Sequence, residues 1–185
     1  MVIAPDSALL IIDLQRAIDD PFWTQYGPRN NPRARKWVAL LLAAWRAAGR
    51  PVIHIRHDST EPQSTYRPGQ PGHDFKPEAA PLPGEHVVAK QTNSAFINAP
   101  LQAMLESAGV RTVFIAGVIT NNSVEATVRM SGNPGFQTYL VEDACFTFAR
   151  PDYDGRLCSA QEVHALSLAN LHGEYCTVVK AGNLL

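Results

Sequence analysis

The sequence has 185 residues, of which 45% are hydrophobic and 18% are charged, and its formal net charge is −1. These values are typical of one soluble globular domain, which we expect to span residues 1–185. The near-zero charge gives no reason to expect a nucleic-acid or membrane partner. No apolar run approaches the length of a membrane span, and the amino-terminal residues do not resemble a signal peptide. The three cysteines show no metal or redox spacing, so we expect a reduced, cytoplasmic protein.

The first half of the chain alternates strand and helix patterns. Residues 7–13 are almost wholly apolar and predict a strand that is buried on both faces. Asn31 and Pro32 predict the start of a helix, with an Asn cap and Pro at the first helical position, and Gly49 predicts its end. Two further strands are predicted in this half, over 51–56 and 86–89.

The second half continues the alternation. A short apolar run at 113–116, bounded by Gly117, predicts a buried strand. Asn121 and Asn122 are able to cap the following helix, so Ser123 is predicted to lie in its first turn. Ser159 and Glu162 form a capping box for a helix that ends near residue 171. The other predicted elements are a helix over 100–108 and strands over 137–142 and 175–179. This alternation predicts a three-layer α/β/α, Rossmann-like fold with right-handed crossovers.

Asp13, Lys90 and Ser123 each end or follow a predicted strand. Ligands bind beyond the carboxyl ends of the strands in such sheets, so the fold can bring these side chains together. A serine at a helix start lies near backbone N–H groups and the positive end of the helix dipole, which suits a nucleophile with an oxyanion hole. Each residue also has an ordinary interpretation: a helix-capping Asp, a solvated Lys and a polar Ser near a cap.

Residues 59–85 form the longest stretch without a helix or strand pattern. Loops of this length in compact domains are usually functional or disordered. We favour a pocket lid or a subunit contact over disorder. The aromatic residues Phe22, Trp23 and Tyr66 are expected to help close the pocket, together with this loop.

Three segments resemble the signature regions of the isochorismatase-like hydrolases, also called the cysteine hydrolases, and they occur in that family's order. The segments are ALLIIDLQ at 8–15, VVAKQTNSAF at 87–96 and GVITNNSVEATVR at 117–129. The strand and helix rhythm between them fits the family from about residue 6 to 182. The resemblance implies a six-stranded, mainly parallel sheet and a homodimer or homotetramer.

The resemblance also implies a catalytic triad. Asp13 takes the position of the acid/base, Lys90 that of the positioning cation, and Ser123 that of the nucleophile. Family members often have a non-proline cis peptide in the signature turn, implied here between Val118 and Ile119, which would aim the N–H groups of Ile119 and Ser123 at a substrate oxygen. The residues expected to bind substrate are Gln15, Phe22, Trp23, Tyr66, Val118 and Ile119.

One residue departs from the family pattern, because the family's nucleophile is a cysteine and this chain has Ser123. A thiol has a reference pKa of about 8.5, which a cation and a helix N-terminus lower further. A carboxylate is a poor base for an alkanol, and none of the motifs supplies a histidine. Three interpretations of Ser123 remain open. It is a natural variant with different chemistry, a replacement that inactivates the enzyme, or a residue of a binding relative that has lost catalysis. Asn121 stands where the family often has Asp, which favours natural divergence.

The leading prediction is a hydrolase that cleaves a C–N (amide-type) bond of a small molecule. The alternatives are vinyl-ether hydrolysis of a chorismate-type substrate, with Asp13 as general acid, and a non-catalytic small-molecule-binding relative. We expect no cofactor, because no G-x-G-x-x-G follows the first strand. We expect no metal, because residues 55–59 lack the Asp/His spacing of some nicotinamidases. Replacing Lys90 by Met is expected to cost little stability, on the premise that a functional lysine is not a core residue.

Overall fold

The computed structural model describes residues 2–185. Its strands are β1 (Ser7–Ile12), β2 (Val52–His57), β3 (His86–Lys90), β4 (Thr112–Val118), β5 (Gln137–Phe146), β6 (Arg150–Pro151), β7 (Leu157–Cys158) and β8 (Thr177–Val179). Its α-helices are α1 (Ala34–Ala47), α2 (Leu101–Ser107), α3 (Glu125–Gly132) and α4 (Ala160–Leu171). A π-helical turn, Thr120–Val124, precedes α3. None of the described helices is both long enough and apolar enough to cross a membrane.

Six strands form one sheet in the order β3-β2-β1-β4-β5-β8, and every neighbouring pair is parallel. The predicted α/β fold with a six-stranded parallel sheet is therefore confirmed. The strand order reverses between β1 and β4, because the chain builds outward from β1 in one direction and from β4 in the other. In open α/β sheets, ligands bind at the carboxyl ends of the strands beside such a reversal. Asp13 follows β1 and Ser123 follows β4.

The two strands at this reversal are buried along their whole length. All residues of β1 and β4 are buried, as expected for central strands that are covered on both faces. Trp45 of α1 packs edge-on against Phe114 of β4, with ring centroids 5.1 Å apart, and Phe114 stacks on Tyr139 of β5 at 4.8 Å. Each such aromatic side chain contributes roughly 1.5–3 kcal/mol by leaving water. The core thus fixes the strand ends that carry the candidate site.

The start of α1 differs from the sequence prediction. The helix begins at Ala34, with Arg33 at the N-cap position, and no side chain caps it. Asn31 instead has a φ of 45°, and its Nδ2 donates to the carbonyl oxygens of Glu142 at 2.9 Å and Cys145 at 2.7 Å. The predicted Asn31 cap is therefore wrong, because long-range hydrogen bonds to β5 occupy the amide.

The signature helix also begins later than predicted. Ser123 lies in the π-helical turn ahead of α3, rather than in the first turn of an α-helix. No side chain caps either segment, and Asn121 Oδ1 accepts a hydrogen bond from the Thr147 hydroxyl at 2.5 Å. The prediction of an α-helical first turn is thus corrected, because Asn121 is bonded to the segment after β5 instead of to the helix.

Strand β5 is four residues longer than predicted. After a register irregularity between Ile115 and Gly117 of β4, pairing resumes with Gly117 opposite Cys145 and Val118 opposite Phe146. The polar pair at 142–143 lies in the stretch 141–144, which has no partner in β4, and the strand continues beyond it. The extension lets β5 end opposite the last residue of β4, where Val118 pairs with Phe146 and the chain enters the turn that holds Ser123.

The loop at 59–85 is tied to the end of β1. It contains two short 3-10 turns, Pro71–His73 and Pro77–Ala79. Its backbone N–H at Lys76 donates to Leu14 O at 3.0 Å, and its carbonyl at Asp74 accepts from Arg16 N at 2.8 Å. These bonds hold the loop over the carboxyl end of the sheet, in agreement with an ordered cover of the site.

Gly117 allows β4 to approach β1 closely at the switch point. Its φ is 127°, and a Cβ built on it would lie 2.2 Å from Ile12 O and 2.6 Å from Ile12 N. No real Cβ tolerates such distances to backbone atoms, so a side chain here would push apart the strands that carry Asp13 and Ser123.

We therefore predict that Gly117→Ala destabilises the protein by more than about 3 kcal/mol, because strain at positive φ and a backbone clash act together. Gly135→Ala is the matched control, since Gly135 also has positive φ (96°) but nothing within 4 Å of the position that a Cβ would take. Guanidinium denaturation of both variants and the native chain measures the difference. Equal losses in the two variants would contradict the proposed close approach.

Candidate active site

An ion pair lies at the carboxyl end of the sheet. Lys90 Nζ donates to Asp13 Oδ2 at 2.7 Å, and the side chains are 0% and 5% exposed. Asp13 has a φ of 48°, in the left-handed region that few residues other than Gly, Asn and Asp adopt. Such backbone outliers often occur at functional sites. The pair brings together the ends of β1 and β3, which are separated in the sheet by β2.

Lys90 also contacts the predicted nucleophile. Its Nζ lies 3.4 Å from Ser123 Oγ and 3.1 Å from Thr92 O. Ser123 is 8% exposed. The structure therefore brings Asp13, Lys90 and Ser123 together, with the ammonium nitrogen as their common point. The peptide bond between Val118 and Ile119 is cis, as the resemblance implies.

One oxygen of the ion pair has no partner. Asp13 Oδ1 is buried and makes no hydrogen bond to any of the described residues. A buried carboxylate oxygen without a donor is costly, which makes this atom a candidate for a functional role. Asp13 lines the cavity described below, and its Oδ2 is held by Lys90.

His57, at the end of β2, is a site residue that the sequence motifs did not assign. Its Nδ1 lies 3.4 Å from Lys90 Nζ, and its ring packs edge-on against Tyr66 with centroids 5.7 Å apart. Burial, and then the charge of Lys90, lowers the pKa of His57, while Asp13 and Asp58 oppose this shift. The imidazole is therefore held neutral near physiological pH. Its place after a strand end was the one sequence signal that could have identified it.

Asp13, His57 and Ser123 line a cavity of about 140 Å³, whereas the buried Lys90 is not part of its wall. Of the predicted substrate-binding residues, Trp23, Tyr66, Val118 and Ile119 lie on its wall. Tyr66 is buried, and its hydroxyl donates to Asp13 O at 3.3 Å. The wall also contains residues that the sequence prediction missed: His57, Ser64, Asn93 and Asn122.

Two predicted substrate-binding residues lie elsewhere. Gln15 is wholly buried, and its amide bonds to three backbone groups: His57 N at 2.8 Å, His57 O at 3.1 Å and His73 O at 2.9 Å. It is not on the cavity wall, so it positions β2 and the 59–85 loop instead of contacting substrate there. Phe22 is 66% exposed and lines a neighbouring cavity instead.

Side chains of helix α4 make hydrogen bonds to the π-helical turn that contains Ser123 and to the residue that follows it. His164 Nδ1 lies 2.8 Å from Thr120 Oγ1, and Ser167 Oγ lies 3.3 Å from Thr120 O and 2.5 Å from Glu125 Oε2. Burial lowers the pKa of His164 to about 4, so its ring is a neutral hydrogen-bonding group at neutral pH. The π-helical turn is therefore held at both ends by polar side chains of one helix.

Comparison with known proteins places this site in a family. The model of the isochorismatase domain matches residues 7–178. The isochorismatase family protein YrdC of Bacillus subtilis, itself uncharacterized, is 38% identical over 96% of this chain and 94% of its own. A streptothricin hydrolase of Streptomyces noursei is 33% identical over 83% of this chain and 59% of its own.

A solved structure agrees with these matches. A protein from Chromobacterium violaceum, described as a hydrolase of the isochorismatase family, superposes with a TM-score of 0.94. It is 59% identical to this chain, and the match covers 100% of this chain and 94% of the other.

The burial of Lys90 changes one expectation. The premise that Lys90 is not a core residue is wrong, because its side chain has no exposed surface. We therefore predict that Lys90→Met lowers the free energy of unfolding by roughly 3–5 kcal/mol, because it leaves Asp13 buried without its partner. The pKa of His57 should rise in this variant, since the positive charge that opposes its protonation is lost while Asp13 and Asp58 remain.

Guanidinium denaturation and an NMR titration of the histidine ring protons measure these two effects. Lys36→Met is the control, because Lys36 is exposed on α1 and should change stability by less than about 0.5 kcal/mol. The double variant Asp13→Asn/Lys90→Met should recover part of the loss. Equal stability of Lys90→Met and Lys36→Met would contradict the buried pair.

Proposed function

Because the chain belongs to the isochorismatase family of hydrolases, we propose that it hydrolyses a C–N bond of a small amide. Ser123 acts as the nucleophile, Asp13 as the acid/base and Lys90 as the positioning cation. One observation carries this proposal: a single ammonium nitrogen contacts Asp13 Oδ2 at 2.7 Å and Ser123 Oγ at 3.4 Å, and Asp13 and Ser123 line one cavity. Nucleophile, base and cation within reach of one another are the parts that acyl transfer requires.

The proposed reaction has two stages. Ser123 Oγ attacks the carbonyl carbon while its proton passes to Asp13 Oδ1, and the N–H groups of Ile119 and Ser123 receive the oxyanion. Asp13 then returns the proton to the leaving nitrogen as the C–N bond breaks, which leaves an ester on Ser123. Water hydrolyses this ester, so the net products are a carboxylic acid and an amine.

Lys90 has a defined part in this scheme. An alkanol is a weaker acid than a thiol, so Ser123 needs more help than a cysteine to lose its proton. The Lys90 ammonium stabilises negative charge as it develops on Oγ, and it does so in a buried site where charges interact strongly. Neutral His57 accepts from the same ammonium without adding a competing positive charge.

The ion pair weighs against vinyl-ether hydrolysis by this chain. That reaction needs a carboxylic acid that donates a proton to carbon. An ammonium group at 2.7 Å from Asp13 stabilises the ionised carboxylate, which suits a proton acceptor. The vinyl-ether reaction, and binding without catalysis, are therefore alternative outcomes of the test and not the proposal.

We predict that the native chain cleaves members of a panel of small primary amides, and that Ser123→Ala reduces kcat/KM by at least about a thousandfold by removing the nucleophile. Release of ammonia measures turnover. Ser123→Cys should remain active, because a thiolate suits the same cation and helix N-terminus.

The same variants assayed with isochorismate separate the alternatives. Amide cleavage by Ser123→Cys alone would indicate an amidase inactivated at this position. Isochorismate turnover by the native chain that survives in Ser123→Ala would support vinyl-ether hydrolysis. Inertness of every form, with retained ligand binding, would support a binding protein and overturn the proposal.

We also propose that the chain forms a homodimer through the outer surface of α4 and the β6–β7 hairpin. A cleft of about 890 Å³ lies between them, and beside it Leu166 is 66% exposed and Tyr153 is fully exposed. The cleft is lined by charges of both signs: Glu125, Arg150, Asp152, Arg156 and Glu162. A surface with an apolar centre and both signs of charge can pair with a copy of itself across a two-fold axis.

We predict that Leu166→Glu shifts the protein toward monomer, because it places a charge in the apolar centre of this surface. Light scattering after size-exclusion chromatography at micromolar concentration measures the mass. Leu40→Glu is the control, since Leu40 is an exposed leucine on α1 and should leave the mass unchanged. A native chain that is monomeric under these conditions would contradict the proposed homodimer.

A further inference from the structure

A second cavity adjoins the cavity that contains Ser123. Its volume is about 450 Å³, against about 140 Å³ for the first, and the two share Trp23 and Ile119 as walls. Known small-molecule sites occupy about 300–1,000 Å³, and a 150 Å³ cavity holds about one benzene ring. The first cavity is therefore large enough for an amide and a short linker, and the second for a larger group attached to them.

The walls of the second cavity are aromatic and fixed. Trp23 stacks on Phe148, with centroids 5.8 Å apart and an interplanar angle of 28°, and Phe22 packs edge-on against Trp23 at 5.6 Å. Trp23 Nε1 donates to Ala17 O at 3.0 Å, which fixes the orientation of the indole. Rigid aromatic walls favour a planar ring as a ligand, because stacked and edge-on arrangements add to the gain from burial.

Arg150 is the one charged residue on the wall of the second cavity, and it also lines the cleft between α4 and the β6–β7 hairpin. Arg150 is exposed, and no carboxylate of residues 2–185 forms an ion pair with it. The other arginine that lines the cleft, Arg156, is by contrast paired with Asp152. An unpaired guanidinium at the edge of an aromatic cavity is suited to bind a ligand carboxylate.

We propose that the substrate is a carboxylated aryl amide. Its amide enters the smaller cavity, its ring lies against Trp23 and Phe148, and its carboxylate faces Arg150. The position of the amide rests on the proposed function, whereas the binding of the ring and the carboxylate does not.

Three amides test the proposal by steady-state kinetics: propanamide, 3-phenylpropanamide and 4-(2-carbamoylethyl)benzoate. The ring should raise kcat/KM at least about tenfold over propanamide, chiefly through KM, by burying its surface. The carboxylate should raise it about two- to fivefold more, the range of a partly exposed ion pair. Equal kcat/KM values for the three amides would overturn the proposal.

Two variants assign these gains to residues. In Arg150→Gln the ratio of kcat/KM between the carboxylated and uncharged aryl amides should fall to about one, and in Arg111→Gln it should not change. Arg111 is exposed and immediately precedes the amino end of β4, whereas the candidate site lies at the carboxyl ends of the strands. In Phe148→Leu the ratio between 3-phenylpropanamide and propanamide should fall. Ratios that stay at their native values in Arg150→Gln and Phe148→Leu would contradict the assignment.

A binding measurement separates this proposal from the proposed chemistry. Isothermal titration with 4-ethylbenzoate, which has the ring and the carboxylate but no amide, should show binding that Arg150→Gln weakens about two- to fivefold. Arg111→Gln should bind it like the native chain. If no form cleaves an amide, the proposed function fails while this titration still decides the inference. Absence of binding, or equal affinity of the native chain and Arg150→Gln, would overturn it.

Discussion

The buried ion pair between Lys90 and Asp13 is the interaction on which the candidate site depends. Two charges removed from water are costly unless close contact and further hydrogen bonds compensate them. Here Lys90 is satisfied by Asp13 Oδ2 and Thr92 O, whereas Asp13 Oδ1 has no partner among the described residues. The pair is thus incompletely satisfied at one oxygen of Asp13. In the proposed reaction, a substrate or the hydroxyl of Ser123 would supply the missing donor, so the electrostatic cost in the resting protein would favour the reacting state.

The surroundings of the pair maintain its geometry through backbone contacts. Gln15, two residues beyond Asp13, bonds to the backbone of His57 and His73, and the Tyr66 hydroxyl bonds to the carbonyl of Asp13. The end of β1 therefore fixes both β2 and the 59–85 loop. The pKa of His57 is lowered by burial and by Lys90, so a positive charge on this ring does not compete with the ammonium for Asp13. A histidine that was kept charged by its own carboxylate partner would compete with Lys90 for Asp13. It would thereby weaken the contact between Lys90 and Ser123.

The sequence predicted the features that depend on local pattern. Apolar runs identified the central strands, and the Ser159 and Glu162 capping box is present. The strand ends, together with the family motifs, identified Asp13, Lys90 and Ser123 as neighbours. The errors involve side chains whose partners are far away in sequence. Asn31 bonds to β5, more than 100 residues away, instead of capping α1, and the burial of Lys90 follows from the packing of several strand ends. Gln15 lies within a family motif and His57 follows a predicted strand, but only the folded chain shows that His57 lines the cavity and Gln15 does not.

Helix α4 connects the site to the surface proposed for self-association. Its inner residues Ala160, His164, Ser167 and Leu171 recur at helical spacing and are buried, and two of them contact the turn before Ser123. Its outer face carries the exposed Leu166. Hydrogen bonds weaken more steeply with distance and angle than apolar contacts do. A small shift of α4 therefore weakens its hydrogen bonds to Thr120 before it disturbs the apolar core. A partner subunit packed on the outer face would hold α4 against such shifts. Assembly and the placement of the nucleophile would then depend on the same rigid helix, without any residue of the partner entering the cavity.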